Sequence, residues 1–336
     1  MQTERRPPRG SDDPAAETLG TTGEFALISA ITADLEPELA AAVGGRVLLG
    51  PGDDGAVLLA DGPVVSSIDC LVEGVHFRTD WSEALDVGRK AVAVNLADLE
   101  AMGAAPVGVL VGFTAPAELP TRWALDFAAG VRQECRTAGA ALLGGDTTRG
   151  PVIMIAVTAL GTLPGEAITR DNARPGDVVA VCGRLGWAAA GLAVLGRGFR
   201  SPRAVVEAQR VPAVPYGQGR AAAAAGAHAM IDISDGLLAD LGHVARASKV
   251  IIDLDPAAFA VPDPLRAVAA ATGSDPLTLI LTGGEDHALA AAFSAEDVPE
   301  GWTVVGRVLR PDAAEGRVTV DGREWEGARG WDHFRR

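Results

Sequence analysis

Acidic residues beside glycines recur along the chain, and they are the side chains best suited to chemistry. Mg²⁺ prefers carboxylate and phosphate oxygens to histidine or cysteine. Aspartates on several elements, with small glycines that admit a bulky polyphosphate, are what a phosphoryl-transfer site with several metal ions requires. The acidic clusters are Gly52-Asp53-Asp54-Gly55, Gly144-Gly145-Asp146, Asp232-Ile233-Ser234-Asp235-Gly236 and Gly283-Gly284-Glu285-Asp286.

The stretch from Gly50 to Asp69 organises the rest of the chain. Two apolar runs joined at Asp61-Gly62-Pro63 predict a β-hairpin. Its two ends would bring Asp53 and Asp54 close to Asp69. Like charges at short range repel strongly unless a cation lies between them. The stretch therefore predicts a Mg²⁺ site on which the other acidic clusters converge, although a plain Gly-rich turn explains its first residues equally well.

The other clusters also have structural alternatives. Asn95 and Asp98 share one face of a mostly apolar helix predicted over 82–102, and a buried pair of this kind needs partners. Gly144–Gly150, after a strand predicted over 140–143, could be a plain turn. Ser234 or Asp235 could merely be the N-cap of the next helix.

Several common motifs are absent from the sequence. Gly50-x-Gly52-x-x-Gly55 has the spacing of the dinucleotide fingerprint, but a strand rather than a helix follows it, and its two aspartates would repel phosphate. A Walker A loop needs Gly-Lys-Ser/Thr, and neither lysine, Lys90 or Lys249, has those neighbours. The protein-kinase motifs, a His-x-x-x-His pair and the Gly-x-Ser-x-Gly elbow are also missing.

Composition excludes further classes. The formal net charge of −15, with no basic tract, argues against a nucleic-acid partner. No apolar run reaches the length of a membrane span, and the N-terminus lacks the apolar core of a secretory signal. Cys70, Cys135 and Cys182 are isolated, which suits a reducing compartment and excludes a zinc knuckle. We therefore expect a cytoplasmic protein without a membrane or nucleic-acid partner.

The order of predicted elements indicates two α/β domains. Strands and helices alternate in both halves, and the pattern pauses around 164–176. We expect a disordered N-terminal tail over 1–22, rich in Pro, Gly, Asp and Thr. We expect an N-terminal α/β domain over 23–165, which would hold the Mg²⁺ site, and a C-terminal α/β domain over 166–336.

Taken together and in this order, the motifs resemble those of bacterial thiamine-monophosphate kinases. The likeness runs from about residue 23 to the C-terminus, and the set is highly specific in combination. The matching pieces are Gly23-Glu24-Phe25, Gly52-Asp53-Asp54, Ser67-Ile68-Asp69, His76-Phe77, Lys90-Ala91-Val92-Ala93-Val94-Asn95-Leu96-Ala97-Asp98-Leu99, Ala101-Met102-Gly103-Ala104, Gly144-Gly145-Asp146-Thr147-Thr148-Arg149-Gly150, Thr169-Arg170, Asp232-Ile233-Ser234-Asp235-Gly236, Gly283-Gly284-Glu285-Asp286 and Trp331-Asp332-His333-Phe334.

The resemblance implies a fold, an activity and a set of site residues. The fold is that of aminoimidazole-ribotide synthetase, with two α/β domains and a homodimer whose N-terminal sheets pair across the interface. The activity is ATP-dependent phosphorylation of thiamine monophosphate to thiamine diphosphate. By position, the Mg²⁺ ligands would be Asp54, Ser67, Asp69, Asp98, Asp146, Asp232 and Asp235. The ATP contacts would be Gly145, Asp146, Arg170 and Ser234, and the thiamine phosphate pocket would include His76, Glu285 and Trp331.

The chain departs from the family pattern at three places. Ile68 stands where the family usually has threonine, so only the backbone carbonyl at this position could serve as a metal ligand. His287 replaces a usual tyrosine, and the 22-residue head is extra.

Related enzymes are the nearest alternatives. Selenophosphate synthetase should carry a reactive Cys or Sec and a Lys near its N-terminus, and residues 1–69 contain neither. The hydrogenase-maturation protein ends in a Cys-bearing tail, which this chain lacks. Aminoimidazole-ribotide synthetase is excluded least cleanly. A non-catalytic Mg-nucleotide sensor is the alternative of another class, and the retention of every acidic cluster argues against it.

The residues also suggest how the transfer occurs. A kinase that phosphorylates a hydroxyl group needs a general base, and the sequence offers no obvious one. A phosphate acceptor needs none, because its second pKa is about 6 and it is largely ionised at pH 7. The remaining barrier is mainly repulsion between two anions, which clustered Mg²⁺ ions reduce. We therefore expect direct in-line transfer without a covalent enzyme intermediate.

Overall fold

The computed structural model describes residues 17–33, 35, 46–310 and 316–331. Helix α1 spans Leu19–Thr22, and α2 spans Glu24–Thr32. Two backbone hydrogen bonds from α1 to residues 117–119 hold it in place. The predicted disordered tail is therefore wrong for residues 17–22, and residues 1–16 lie outside the described ranges.

The predicted hairpin between Gly50 and Asp69 does not form. Strands β1 (Val47–Leu49) and β2 (Val57–Leu58) pair antiparallel with each other. Strand β3 (Val64–Val72) instead pairs along its whole length with a later strand, Met154–Thr162. The physical reason is length, because a nine-residue strand gains far more backbone hydrogen bonds from a nine-residue partner than from the two residues of β2.

Four strands form the N-terminal sheet. The remaining elements of this part are α3 (Ala84–Ala101), β4 (Ala105–Ala115), α4 (Thr121–Ala138), β5 (Ala141–Arg149) and β6 (Met154–Thr162). The strand order is β3-β6-β4-β5, with β4 and β5 parallel and joined by α4, and the other neighbours antiparallel. Because β5 continues to Arg149, Asp146 lies within a strand, and the alternative of a plain turn over 144–150 is wrong.

The two faces of this sheet have different surroundings. On the inner face, Val111 and Val157 belong to a buried core that also contains residues of α3 and α4. On the outer face, β1 and β2 cover a small cluster near Leu143, whereas Leu110 and Ile68 remain exposed. Since side chains alternate along a strand, each residue's register decides which surroundings it meets.

A larger mixed sheet forms the C-terminal part. Its elements are β7 (Val178–Cys182), α5 (Trp187–Leu195), α6 (Arg203–Arg210), α7 (Gln218–Ala224), β8 (Ala229–Asp232), α8 (Leu237–Ser248), β9 (Ile251–Leu254), α9 (Asp263–Thr272), α10 (Pro276–Thr282), β10 (Leu289–Phe293), β11 (Thr303–Leu309), β12 (Arg317–Val320) and β13 (Arg323–Glu324). The strand order is β13-β12-β9-β11-β7-β10-β8. Within the described part of the chain, no helix is long and apolar enough to cross a membrane.

Helix α3 lies between the two parts. Of its 18 residues, 14 are buried, because other elements pack around most of its circumference. Three buried polar residues, Lys90, Asn95 and Glu100, each have hydrogen-bond partners. The Glu100 carboxylate accepts hydrogen bonds from the Gly217 and Gly219 amides at the start of α7. These bonds fix α3 against the C-terminal part.

Candidate active site

The candidate site begins where β3 runs beside α3. The Ser67 hydroxyl donates a hydrogen bond of 2.5 Å to Asp98 Oδ2. Two residues after Ser67 on β3, the Asp69 amide donates a hydrogen bond to Asn95 Oδ1 at 2.8 Å. Asn95 Nδ2 in turn donates to the Ala91 carbonyl. The oxygen and one hydrogen of the Asn95 side-chain amide therefore bind backbone groups of β3 and α3. These bonds position β3 on α3 and account for the burial of Asn95 without a metal ion.

Carboxylates from both parts of the chain repel one another here. Burial, together with the charges of Asp232 and Asp69, raises the pKa of Asp98 to about 6, although the hydrogen bond from Ser67 opposes the shift. Burial also raises the pKa of Asp69, where the charge of Asp232 adds to the effect while His287 and His76 oppose it. The three carboxylates are therefore close enough to share one electrostatic environment, with an excess of negative charge.

Asp232 ends β8 and is held by a histidine. Its Oδ2 lies 3.1 Å from His287 Nδ1, and both side chains are buried. Although burial opposes it, this contact with Asp232 raises the pKa of His287. His287, a departure from the family pattern, is thus a partner of a predicted metal ligand.

The loop after β8 is fixed by a second buried carboxylate. Asp240 Oδ2 accepts hydrogen bonds from the Asp235 and Gly236 amides, each at 3.0 Å. Burial, with the charges of Asp232 and Asp235, raises the pKa of Asp240 to about 7. The Ser234 carbonyl accepts a bond from the Glu285 amide. Ser234 and Asp235 are therefore held in place by Asp240 and the 283–287 loop, and the N-cap residue of α8 is Gly236 rather than either of them.

A buried lysine joins the predicted substrate residues. Lys90 Nζ donates to the His76 carbonyl at 2.9 Å and to Glu285 Oε2 at 3.1 Å. The His76 ring accepts a bond at Nδ1 from the Val72 amide, so its neutral form carries the proton on Nε2. His76 also lies within electrostatic range of Asp69. This arrangement places His76 and Glu285 beside the cleft, which is the site between the two parts of the chain that contains Asp69, Asp98 and Asp232.

Two other predicted contacts lie near the 232–236 loop. The Trp331 amide donates to the Asp235 carbonyl at 2.9 Å, and its side chain is 60% exposed. Arg170 is exposed, and its charge, with that of Asp235, acts on His243. Trp331 and Arg170 therefore lie on the C-terminal side of the cleft.

Asp54, Gly145 and Asp146 lie elsewhere. All three line a mostly apolar cavity of about 800 Å³ at the edge strand β5, together with Phe25 and Leu110. A Cβ atom on Gly145 would lie 2.1 Å from the Val111 carbonyl oxygen, so only glycine fits there. This cavity provides an apolar wall beside two exposed carboxylates.

The strand register of the N-terminal sheet separates the Asp69 site from the cavity that Asp146 lines. Asp146 pairs with Gly112, whose other neighbour is Ala156 on the outer face, whereas Asp69 pairs with the buried Val157. Strands β3 and β5 are the two edges of the sheet, so about three strand spacings, roughly 14 Å, lie between them. The prediction that every acidic cluster converges on one place is therefore wrong for a single chain.

Ile68 follows the same alternation. It pairs with Thr158, and its side chain is 60% exposed, away from Ser67 and Asp69. Any metal contact at this position would therefore come from the backbone, as the sequence predicted. Among residues 17–33, 35, 46–310 and 316–331, no three His, Cys, Asp or Glu side chains are placed to hold one ion by themselves.

Sequence reasoning missed three side chains that organise the site. Lys90 lies inside a matching motif, but a lysine in an apolar helix gave no sign of its distant partners. Asp240 stands five residues after Asp235, where an acidic residue in the first helical turn could have indicated a bond to the preceding loop. His287 was noted only as a departure, since its contact with Asp232 spans 55 positions of sequence.

Comparisons with known proteins agree with this architecture. Residues 52–163 match the family model of the AIR synthase related protein N-terminal domain, and residues 174–319 match that of its C-terminal domain. A thiamine-monophosphate kinase of Mycobacterium tuberculosis (strain CDC 1551 / Oshkosh) is 48% identical over 320 residues, which cover 94% of this chain and 93% of the relative.

Solved structures give the same result. The thiamine-monophosphate kinase of Stenotrophomonas maltophilia K279a is 34% identical, with a TM-score of 0.75 over 87% of this chain and 97% of that one. AaThiL complexed with AMPPCP and TMP is 30% identical, with a TM-score of 0.74 over 95% of this chain and 99% of that one. The chain belongs to the thiamine-monophosphate kinase family, with both domains of the AIR synthase related proteins.

Proposed function

We propose that this protein transfers a phosphoryl group from ATP to thiamine monophosphate, in an Mg²⁺-dependent reaction that yields thiamine diphosphate. The family supports the reaction, because the similar AaThiL structure contains AMPPCP, an ATP analogue, together with TMP. The observation that carries the proposal is the meeting of Asp69, Asp98 and Asp232 at the boundary between the two parts of the chain.

The donor set in this cleft fits Mg²⁺. Carboxylates and the Ser67 hydroxyl are hard oxygen ligands. Burial and the neighbouring carboxylates Asp232 and Asp69 raise the pKa of Asp98, which a cation bound beside them would oppose. Mg²⁺ is usually held by one or two carboxylates with water and substrate phosphates, rather than by an all-protein cage. Each Mg²⁺ ion would be held by one or two of Asp69, Asp98 and Asp232 and completed by water and substrate phosphates, with Ser67 and Asp235 nearby, and it would supply neutralisation of phosphate charge.

The phosphoryl donor would contact residues from both parts of the chain. Ser234 and Arg170 lie on the C-terminal side, where Arg170 offers a cation for a phosphate group. Gly145 and Asp146 line the apolar cavity beside the exposed β5 edge, which suits the base of a nucleotide better than its phosphates. The role of each of these residues in ATP binding is a prediction from the family motif.

The acceptor would lie on the side of His76 and Glu285. His76 carries an N–H at Nε2 in its neutral form, which is a donor for a phosphate oxygen. The Glu285 carboxylate suits the amino group or the cationic ring of thiamine, and the exposed Trp331 indole suits stacking on a thiamine ring. These three residues would orient the acceptor so that its phosphate points toward the aspartates.

No residue of the cleft needs to act as a general base. The nucleophile is an oxygen of the thiamine phosphate, which is already largely ionised at pH 7. The protein would therefore contribute by positioning two anions in line and by excluding water from the space between them. This predicts a single direct transfer without a phosphorylated enzyme.

The outer face of the N-terminal sheet suits a homodimer contact. It exposes Ile68, Leu110 and Met154, with 60%, 38% and 39% of their surfaces accessible. A contiguous apolar patch of this kind marks an interaction site. A second copy packed on this face would also cover Asp146. The free cysteines, Cys70 among them, favour a cytoplasmic location.

A direct assay tests the proposal. Purified protein is incubated with ATP, Mg²⁺ and thiamine monophosphate, and thiamine diphosphate and ADP are quantified by chromatography. We expect equal amounts of both products, and none when EDTA replaces the metal. ADP formed only with the substrate of aminoimidazole-ribotide synthetase would indicate that enzyme instead, and ATP binding without turnover of either substrate would indicate a nucleotide sensor.

The stereochemistry of the transfer tests the direct mechanism. ATP with a chiral γ-phosphoryl group should give thiamine diphosphate with inverted configuration, because one in-line displacement inverts the phosphorus. Retention of configuration, or labelled protein after acid quenching of a reaction with radioactive ATP, would contradict direct transfer.

A further inference from the structure

Lys90 holds a fully engaged ammonium group at the boundary between the two parts of the chain. Its side chain is 2% exposed, and its Nζ donates to the carbonyls of His76 and Gln209, at 2.9 and 3.3 Å, and to Glu285 Oε2 at 3.1 Å. A lysine ammonium has three N–H donors. All three are therefore used by the protein, which leaves none for a substrate phosphate.

The partners of Lys90 come from three different segments. His76 belongs to the turn after β3, Gln209 to α6 and Glu285 to the loop before β10. Two of these three are residues of the proposed acceptor site. Lys90 thus connects the turn of the N-terminal part to the loop of the C-terminal part through one buried charge.

The loop that carries Glu285 needs to be held. Glu285 and His287 have positive φ angles, 65° and 51°, in the left-handed region that residues other than glycine rarely adopt. Backbone bonds from these two residues to Ser234 and Ile233 fix one side of the loop. Such backbone conformations persist when the surrounding contacts determine them. Lys90 fixes the Glu285 side chain from the opposite part of the chain.

Lys90 and Glu285 differ in how much of each side chain is accessible to a ligand. The Glu285 side chain is 34% exposed, so a ligand can reach it, whereas Lys90 is enclosed. The ammonium group also offsets the charge of this carboxylate, which lowers its repulsion of an anionic acceptor in a protein with a net charge of −15.

We propose that Lys90 is a positioning residue for the acceptor site: it fixes Glu285 and the His76 turn relative to each other without touching the substrate. This inference rests on the proposed function for the identity of the acceptor. Preorganised side chains of this kind lower the entropic cost of orienting a substrate. Loss of Lys90 should therefore weaken recognition of thiamine monophosphate more than that of ATP.

Hydrogen exchange tests the positioning without any substrate. The protein is compared with Lys90→Met, and with Lys249→Met as a matched control at the exposed second lysine. We expect faster exchange in Lys90→Met at residues 283–287 and 73–77, with unchanged exchange in α8. Uniform acceleration along the chain, or no change in the two segments, would overturn the inference.

Steady-state kinetics tests the consequence for the acceptor. In Lys90→Met we expect KM for thiamine monophosphate to rise at least about tenfold, with KM for ATP changed by less than about twofold. Lys249→Met should match the unmodified protein. Equal changes in both KM values, or a change in kcat alone, would show that Lys90 serves stability or chemistry rather than acceptor positioning.

A second variant covers a failure to fold. Lys90→Gln keeps two N–H donors for the two carbonyls but removes the charge that pairs with Glu285. It should show the same selective effects on exchange and on KM, and unchanged values would overturn the inference. If the unmodified protein does not phosphorylate thiamine monophosphate, the proposed function fails, while hydrogen exchange still decides whether Lys90 positions Glu285.

Discussion

The two acidic regions differ in how far the fold has already arranged them. In the cleft between the two parts of the chain, Ser67 binds Asp98 and His287 binds Asp232. On the outer face, Asp54 and Asp146 are exposed beside an apolar cavity. The first set is arranged by intramolecular contacts before any ligand arrives, whereas the second lies open to solvent, a ligand or another chain.

This difference indicates that the carboxylates of the cleft lower the stability of the fold, whereas those of the outer face do not. Burial, with repulsion from Asp232 and Asp69, raises the pKa of Asp98, and holding carboxylates together in this way destabilises a fold. Exposed carboxylates are well solvated and carry no comparable cost. Sites that a protein maintains against its own stability are commonly functional. We therefore expect substitutions in the cleft to have larger effects than those on the outer face.

Asp98→Asn should have the largest effect. The substitution removes a charge that the metal and the transferred group need, so kcat should fall at least about 100-fold, which corresponds to about 3 kcal/mol. It also removes repulsion from Asp69 and Asp232, so the melting temperature without divalent metal should rise. Asp126→Asn, at a surface ion pair with Arg122, is the control for both measurements. Near-normal turnover at limiting Mg²⁺ would contradict the assignment of Asp98.

Asp146→Asn should have an intermediate effect. Because this carboxylate is exposed, its replacement should leave the melting temperature unchanged while kcat/KM for ATP falls about tenfold, or about 1.4 kcal/mol. Titration of Mg²⁺ at fixed ATP would show whether the loss is recovered at high metal concentration. A loss as large as that of Asp98→Asn would show that the two acidic regions form one site, and equal activity would remove Asp146 from it.

Leu110→Asp tests the role of the outer face as a dimer contact. A charge placed in an apolar interface loses its hydration, so dimer dissociation should become at least about tenfold more favourable. Light scattering over a concentration series measures this change. Leu192→Asp, at an exposed leucine of α5, is the matched control. A protein that is monomeric before substitution, or a dimer that Leu110→Asp leaves unchanged, would contradict the proposed interface.

Ile68→Thr should have the smallest effect. The substitution restores the residue usual in the family, but the side chain at this position lies on the outer face, 60% exposed. We therefore expect kcat and the Mg²⁺ dependence to change by less than about twofold, within the range of ordinary surface substitutions. A large gain in metal affinity would show that the threonine hydroxyl reaches the cleft.

The elements predicted best are those with strong local patterns. The helix predicted over 82–102 appears as Ala84–Ala101, because a long apolar segment and clear end signals act locally. The hairpin failed because strand pairing is a competition among distant segments, and β6 offered β3 a longer partner than β2 did. The strand predicted over 140–143 is too short for a related reason, since pairing with β4 extends β5 through its glycines.

The amino-acid sequence by itself determined the chemistry of this protein. It shows the acidic motifs, the absence of a Walker A loop and the resemblance to the thiamine-monophosphate kinases. Only the tertiary structure decided which acidic side chains meet. That decision depends on strand register, which places Asp69 on the inner face of the N-terminal sheet and Asp146 on its outer face. It also depends on buried contacts such as Lys90 with Glu285, which join positions 195 residues apart that no local pattern could connect.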